Sequence, residues 1–220
     1  MDYKNYLTEN VLKFWLDNAI DKEYGGIFTC LDEEGKIYGE EKSVWFQGRA
    51  LWTFSSAYNR VEKRKEYLDA AKTIYGFLPK CTDSDGRMFF TVTRDGRPIQ
   101  KRRYYFSETF AAIGCAEYYI ATGEKEAWDN AEKYFETAYK IFKNPSLTTP
   151  KYNPENAPYK ALSPVMIMLS TAQEMRKADK EKYSGIVNEM LNEVLCGGYL
   201  KEDVLLENVT TDGKFADTPT

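Results

Sequence analysis

Histidine is missing altogether from the 220 residues. It is the side chain whose ordinary pKa lies nearest neutrality, so acid–base chemistry by this chain alone falls to Glu, Asp, Lys or Tyr. The four cysteines, Cys30, Cys81, Cys115 and Cys196, include no C-x-x-C pair, which predicts reduced, mostly buried thiols in the cytoplasm. Long apolar runs are missing too. The longest, Val165-Met166-Ile167-Met168-Leu169, falls far short of the roughly 20 residues that span a bilayer. The N-terminal MDYKNYLTENVLKFW carries acidic residues early and no apolar core, unlike a secretory signal. The net charge is only −4, with both signs interspersed and no basic stripe. Nucleic acid and membranes are therefore not expected partners.

Hydrophobic residues make up 43% of the chain, enough for a large core, and 29% are charged, as in a soluble domain. We read residues 1–220 as a single domain. Aromatics reach 15%, with 17 Tyr. Such rings stack on sugar faces, but they fill helical cores as well, and the core reading comes first.

Two kinds of helix alternate. Segments 3–20, 62–79, 125–143 and 180–196 are amphipathic. In the second, Tyr67, Ala70, Ala71, Ile74, Phe77 and Leu78 follow the i, i+3, i+4, i+7 pattern, with Lys and Asp between them. Segments 45–59, 105–122 and 162–177 are apolar most of the way round, which predicts burial on most sides. Pro164 suits a first helical turn, where its missing N–H costs nothing.

Hairpin-like stretches connect wet helices to buried ones. The first runs over 25–38 with a turn at 32–35, and the second over 87–97 with Asp95-Gly96 in its turn. A third candidate runs from Gly198 to Lys214. The 144–158 connection, with three Pro, reads as a loop. The buried helices begin near 45, 105 and 162, a repeat of about 57–60 residues. Units of outer helix, connection and inner helix bury their inner faces by stacking on neighbours. A ring of inner helices wrapped by outer ones satisfies the pattern. Four outer and three inner helices do not close it, and an inner helix should follow the segment from Phe215 to Thr220. The chain therefore reads as the N-terminal part of a longer barrel, with a natural half-barrel as the alternative.

Each inner helix opens on polar groups: Lys42, Ser43, Gln47 and Arg49 for the first, Arg102, Arg103, Ser107 and Glu108 for the second, Tyr159 and Lys160 before the third. In parallel inner helices these ends converge on one mouth, with positive dipole ends suited to an oxygen-rich ligand or a developing oxyanion. Bland readings stand beside this one. Arg49 and Glu108 could form an interhelical ion pair. Ser107 and Glu108 could be helix-start chemistry. Trp45 and Tyr104 could be core, and Lys42 and Lys160 solvated.

The stretch Trp45-Phe46-Gln47-Gly48-Arg49-Ala50-Leu51-Trp52-Thr53-Phe54-Ser55, with Ala57-Tyr58-Asn59, resembles the W-x-Q-G-R-x-x-W-x-F-S-x-x-Y-N stretch of the N-acylglucosamine 2-epimerases. Phe14-Trp15 with 21–26, Phe106-Ser107-Glu108-Thr109-Phe110, Lys160 with Pro164-Val165-Met166-Ile167, and Leu206-Glu207-Asn208-Val209 add to the resemblance. It implies an all-α (α/α)6 barrel, incomplete here, that interconverts N-acetylglucosamine and N-acetylmannosamine. Such enzymes remove the C2 proton beside the C1 carbonyl and return it to the other face through an enediolate, without cofactor or metal. The acid–base pair implied is two histidines, and this chain has neither, so it is not expected to epimerise sugars by itself. The resemblance places Arg49 and Lys160 on sugar oxygens or the enediolate, Glu108 on hydroxyls or behind Arg49, and Trp45, Tyr104 and Glu207 along the pocket. The partner implied is a small amino sugar, and the complete protein could pair as a homodimer.

Other readings follow from the same residues. Cellobiose 2-epimerases and mannose-type aldose–ketose isomerases share barrel and chemistry. A glycoside hydrolase would use paired carboxylates, here Glu108 and Glu207. A non-catalytic helical scaffold would account for the missing histidines.

Overall fold

The computed structural model describes residues 2–101, 104–149, 155 and 158–216. Arg102 and Arg103, 150–154 and 156–157 of the proline-rich connection, and the terminal 217–220 lie outside the described residues. The helices are α1 (Tyr3–Tyr6), α2 (Lys13–Asn18), α3 (Val44–Ser56), α4 (Lys65–Tyr75), α5 (Phe106–Thr122), α6 (Lys125–Lys143), α7 (Leu162–Met175) and α8 (Lys180–Cys196). The strands are β1 (Cys30–Leu31), β2 (Ile37–Gly39), β3 (Lys42–Ser43), β4 (Thr91–Val92), β5 (Pro98–Gln100), β6 (Tyr159–Ala161), β7 (Leu200–Lys201), β8 (Val204–Leu205) and β9 (Asn208–Thr210). The chain divides into two compact units, residues 1–137 and 138–220.

In the first unit the expected alternation of wet and buried helices is present. The wet helix α4 buries Tyr67, Ala70, Ala71 and Ile74 on one stripe. In α5, burial runs most of the way round and takes in Ser107, Glu108, Thr109, Ala111, Ala112, Cys115 and Glu117. Inner helices α3 and α5 pack against each other, and α4 lies against α3. The α3–α5 crossing is close because both sides lack a Cβ. A Cβ on Gly48 would sit 2.5 Å from the Phe110 carbonyl carbon, and one on Gly114 would sit 2.7 Å from the Gly48 carbonyl oxygen. At the far ends, Asn59 Nδ2 donates to the Glu117 carbonyl and carboxylate at 3.1 and 2.7 Å. Arg60 also pairs with that carboxylate.

Two helices are less uniform than their periodicity suggests. α1 and α2 are joined by a π-helical stretch, Leu7–Leu12, and α3 runs on into another, Ala57–Val61. Local helical pattern does not distinguish i+4 from i+5 bonding, so neither is visible in the sequence.

The hairpins are shorter and more entangled than expected. β1 pairs β2, and β4 pairs β5, as read from the turns. β3, the step into α3, adds a third strand by pairing Lys42 with Val92 and Ser43 with Thr91. The third expected hairpin, 198–214, is not continuous. β7 and β8 form a tight hairpin through Glu202, at φ 52, and β9 pairs instead with β6. Strands of two or three residues are too short to show alternation.

In the second unit α7 packs on α8. The α7 residues Val165, Met168, Ala172 and Met175 are buried. Among the described residues no helix is long and apolar enough to cross a membrane.

Candidate functional site

The start of α3 is fixed by a residue expected to be solvated. Lys42 is wholly buried, and its ammonium donates to Asp21 Oδ2 at 2.8 Å, the Gly25 carbonyl at 2.7 Å and the Arg94 carbonyl at 2.8 Å. Burial pulls its pKa below the ordinary lysine value, against the pull of Asp21. Burial would raise the Asp21 carboxyl, but hydrogen bonds from Arg94, Lys42 and the Tyr24 and Glu23 N–H groups hold it far below the carboxylate range. One turn on, buried Gln47 accepts from the Ile27 N–H and donates to the Ile27 carbonyl, each at 2.8 Å. Gly26, at φ +78, passes so close to Gln47 that a Cβ would lie 2.7 Å from its Oε1. Lys42, Gln47 and Gly48 are therefore framework.

The start of α5 is fixed differently from ordinary helix-start chemistry. Its N-cap is Tyr105, with no side-chain cap bond. Ser107 Oγ donates to the Phe89 carbonyl at 2.9 Å. Glu108 Oε1 accepts from Arg87 Nε at 2.6 Å and from the Met88 N–H at 3.0 Å. Arg87 also donates through its NH2 group to the Tyr104 carbonyl at 3.1 Å. The Phe90 carbonyl in turn accepts the Val44 N–H, the first of α3, at 2.9 Å. Segment 87–90 thus ties the two helix starts together.

Above this frame lies a group of rings. Trp45 meets Phe90 edge-on at 5.2 Å, Phe106 at 5.6 Å and Phe110 at 5.8 Å, and Tyr104 lies 5.7 Å from Phe106. The guanidinium of Arg49 lies over Phe110, 4.5 Å from the ring centroid. Arg49 is exposed, and no carboxylate among the described residues pairs with it. Trp45 and Tyr104 are half-buried, so they are neither pure core nor free surface.

Two expectations need correction here. Glu108 is not the partner of Arg49. It is completely buried and faces segment 87–90, where Arg87 takes it. Nor is Lys42 solvated. The structure brings Trp45, Arg49, Tyr104 and Glu108 together at the starts of α3 and α5. Lys160 and Glu207 belong to the second unit, at the start of α7. Lys160, on β6, is half-buried rather than solvated; it pairs with Glu193 at 3.0 Å and lies 5.2 Å from the Tyr199 ring centroid. Glu207 has an exposed side chain, and its carbonyl accepts the Leu162 N–H at 2.8 Å. Arg87 and Phe90 escaped the sequence reading because they lie in a stretch read only as hairpin.

This arrangement can bind oxygen-rich molecules. Arg49 offers a planar set of donors held by an aromatic face, and Trp45 and Tyr104 offer faces beside it. The same group of residues offers no base poised near neutrality from its neighbouring phenol, since burial pushes the Tyr105 hydroxyl well above its ordinary value. All four cysteines are free thiols; Cys81 and Cys115 are buried, Cys30 is half-buried and Cys196 is exposed.

Known proteins resemble this chain in sequence and fold. A cellobiose 2-epimerase from Eubacterium cellulosolvens is 34% identical over 138 residues, 59% of this chain and 32% of that protein. The solved cellobiose 2-epimerase from Bacillus thermoamylovorans superposes with a TM-score of 0.82 at 20% identity, over 97% of this chain and 60% of that one. That likeness shows the fold, the helical α/α barrel class expected from the alternating helices. The N-acylglucosamine 2-epimerase of Mus musculus is 32% identical over 216 residues, 94% of this chain and 51% of the mouse protein. The chain thus spans about half the length of that relative. The family model for N-acylglucosamine 2-epimerase (GlcNAc 2-epimerase) matches residues 26–202, most of the chain. With the W-x-Q-G-R stretch shaping the start of α3 as described, this chain belongs to the N-acylglucosamine 2-epimerase family.

Proposed function

We propose that this chain carries a sugar-recognition surface of an enzyme that interconverts N-acetylglucosamine and N-acetylmannosamine at C2. The observation that carries the proposal is Arg49. Its guanidinium is held over Phe110, it is exposed, and it has no acidic partner among the described residues. An arginine so placed can donate to the sugar oxygens, and to the negative charge that develops on O1 when the C2 proton leaves. Trp45 and Tyr104 supply ring faces for the pyranose. Glu108 acts from beneath, by fixing the frame. Without histidine the chain has no ordinary acid–base pair for the transfer, so it binds the sugar without epimerising it. The free thiols fit a cytoplasmic protein.

Calorimetric titration of the 220-residue chain with N-acetylmannosamine and N-acetylglucosamine tests this. Saturable binding is expected, abolished by Arg49→Ala without loss of folding. Binding of cellobiose or mannose in preference to both amino sugars would move the assignment to those substrates. Interconversion of the amino sugars by the purified chain would overturn the division between binding and proton transfer.

A further inference from the structure

We propose that Arg87 is a positioning residue for the sugar surface, acting through Tyr104; this rests on the reading of Trp45, Arg49 and Tyr104 as that surface. Arg87 is only 17% exposed, and its guanidinium is forked. One arm, Nε, is committed to Glu108 Oε1 at 2.6 Å, and another reaches the Tyr104 carbonyl at 3.1 Å. Glu108 cannot swing to release it, because the same oxygen takes the Met88 N–H and the side chain is wholly buried. The second carboxylate oxygen, Oε2, is buried with no hydrogen-bond partner. Glu108 thus orients Arg87, and Arg87 sets where the chain turns into α5.

Tyr104 is the residue that this fork controls. It precedes α5, its ring lies beside Phe106, and Phe106 touches Trp45. Among the described residues the Arg87 bond is the hydrogen bond that joins 104–105 to segment 87–90, and the Tyr105 hydroxyl is buried without a hydrogen-bond partner. Lysine cannot replace arginine here. A single ammonium can keep the charge opposite Glu108, but it lacks the fixed fork that also reaches a carbonyl.

The experiment compares wild type, Arg87→Lys, Tyr104→Ala and the double variant of the 220-residue chain. Three readouts are thermal melting, amide hydrogen exchange over 104–108 and calorimetric titration with N-acetylmannosamine. Arg87→Lys should melt within about 5 °C of wild type, exchange faster at 104–108, and bind the sugar about tenfold more weakly, as expected for one lost hydrogen bond. In the Tyr104→Ala background, adding Arg87→Lys should weaken binding no further, because the ring through which Arg87 acts is gone. Unchanged exchange in Arg87→Lys, or full additivity of the two substitutions in sugar binding, overturns the proposal. If the wild-type chain binds no amino sugar, the functional reading fails on that result alone, and exchange at 104–108 still decides whether Arg87 holds Tyr104.

Discussion

Lys42 and Asp21 form a wholly buried ion pair, Nζ to Oδ2 at 2.8 Å, with 0% and 1% of their side chains exposed. The lysine also satisfies two loop carbonyls, those of Gly25 and Arg94. Lys42→Met would leave those carbonyls without its ammonium and Asp21 with Arg94 and the Glu23 and Tyr24 N–H groups. Removing one partner of a buried pair costs about 3–5 kcal/mol, and the remaining Arg94 puts the expected loss near the lower end. Urea denaturation should show the midpoint falling with an unchanged slope. A loss below about 1 kcal/mol would mean that the loops rearrange around a methionine.

The pH dependence follows from Asp21. Its folded pKa lies below the ordinary value of about 3.9. Such a group contributes stability that is present above that ordinary value and is lost as pH falls through the folded pKa. Stability should therefore drop steeply below about pH 4. Half-buried Asp83 and exposed Asp85, lowered by Lys101, add in the same direction. Asp21→Asn should be less stable at pH 6 and show a flatter acid limb, read by thermal melting between pH 6 and pH 3. Parallel curves for the two proteins would contradict this.

The close α3–α5 crossing gives a third expectation. Alanine is a better helix former than glycine by about 1 kcal/mol, so Gly48→Ala would stabilise an isolated helix. Here the new Cβ would lie 2.5 Å from the Phe110 carbonyl carbon and 2.7 Å from the Ala111 nitrogen. These are backbone atoms of α5 and cannot rotate away, so the helices must part. Overpacking of this kind costs about 1–3 kcal/mol or more, and the net effect should be a loss of about 1–2 kcal/mol. Because Phe110 carries Arg49, sugar binding should weaken as well. An unchanged or raised melting temperature would show that α3 and α5 slide apart freely.

These residues also show what the sequence could and could not convey. The helix types and order were legible, because amphipathic and all-round apolar periods differ over 15 residues or more. The W-F-Q-G-R stretch was legible as a motif, but not its division of labour. Arg49 is exposed and Trp45 half-buried among rings, while Gln47 holds the Ile27 backbone and Gly48 admits α5. Neighbouring positions on a helix point in different directions, and only packing says which partner each meets. An Arg49–Glu108 pair is one of several readings the sequence leaves open for Glu108. Its true partner, Arg87, is 21 positions earlier, in the loop that leads into β4. β3 and β6 were missed for the same reason, since each gains its partner from a distant segment.

The second unit yields the last prediction. Val165 and Met168 are buried at 4% and 0%, but Met166 of the same helix is 51% exposed. On the β7–β8 hairpin the cross-strand pair Leu200 and Leu205 is 41% and 47% exposed, with Val204 at 57%, and Phe215 reaches 70%. Cross-strand leucines on an uncovered two-stranded ribbon neither stabilise it much nor keep water away from it. Each fully buried side chain of this size would contribute roughly 1.5–3 kcal/mol, so covering several of them by self-association is favourable at accessible concentrations. Size-exclusion chromatography with light scattering should show a mass that rises with protein concentration. The variant Val204→Lys with Phe215→Ser should fold equally well by circular dichroism, since both side chains lie in solvent, and should stay monomeric further up the series. A wild-type chain that remains monomeric and monodisperse into the hundred-micromolar range, with a sharp transition above about 50 °C, would show that these side chains are tolerated in water.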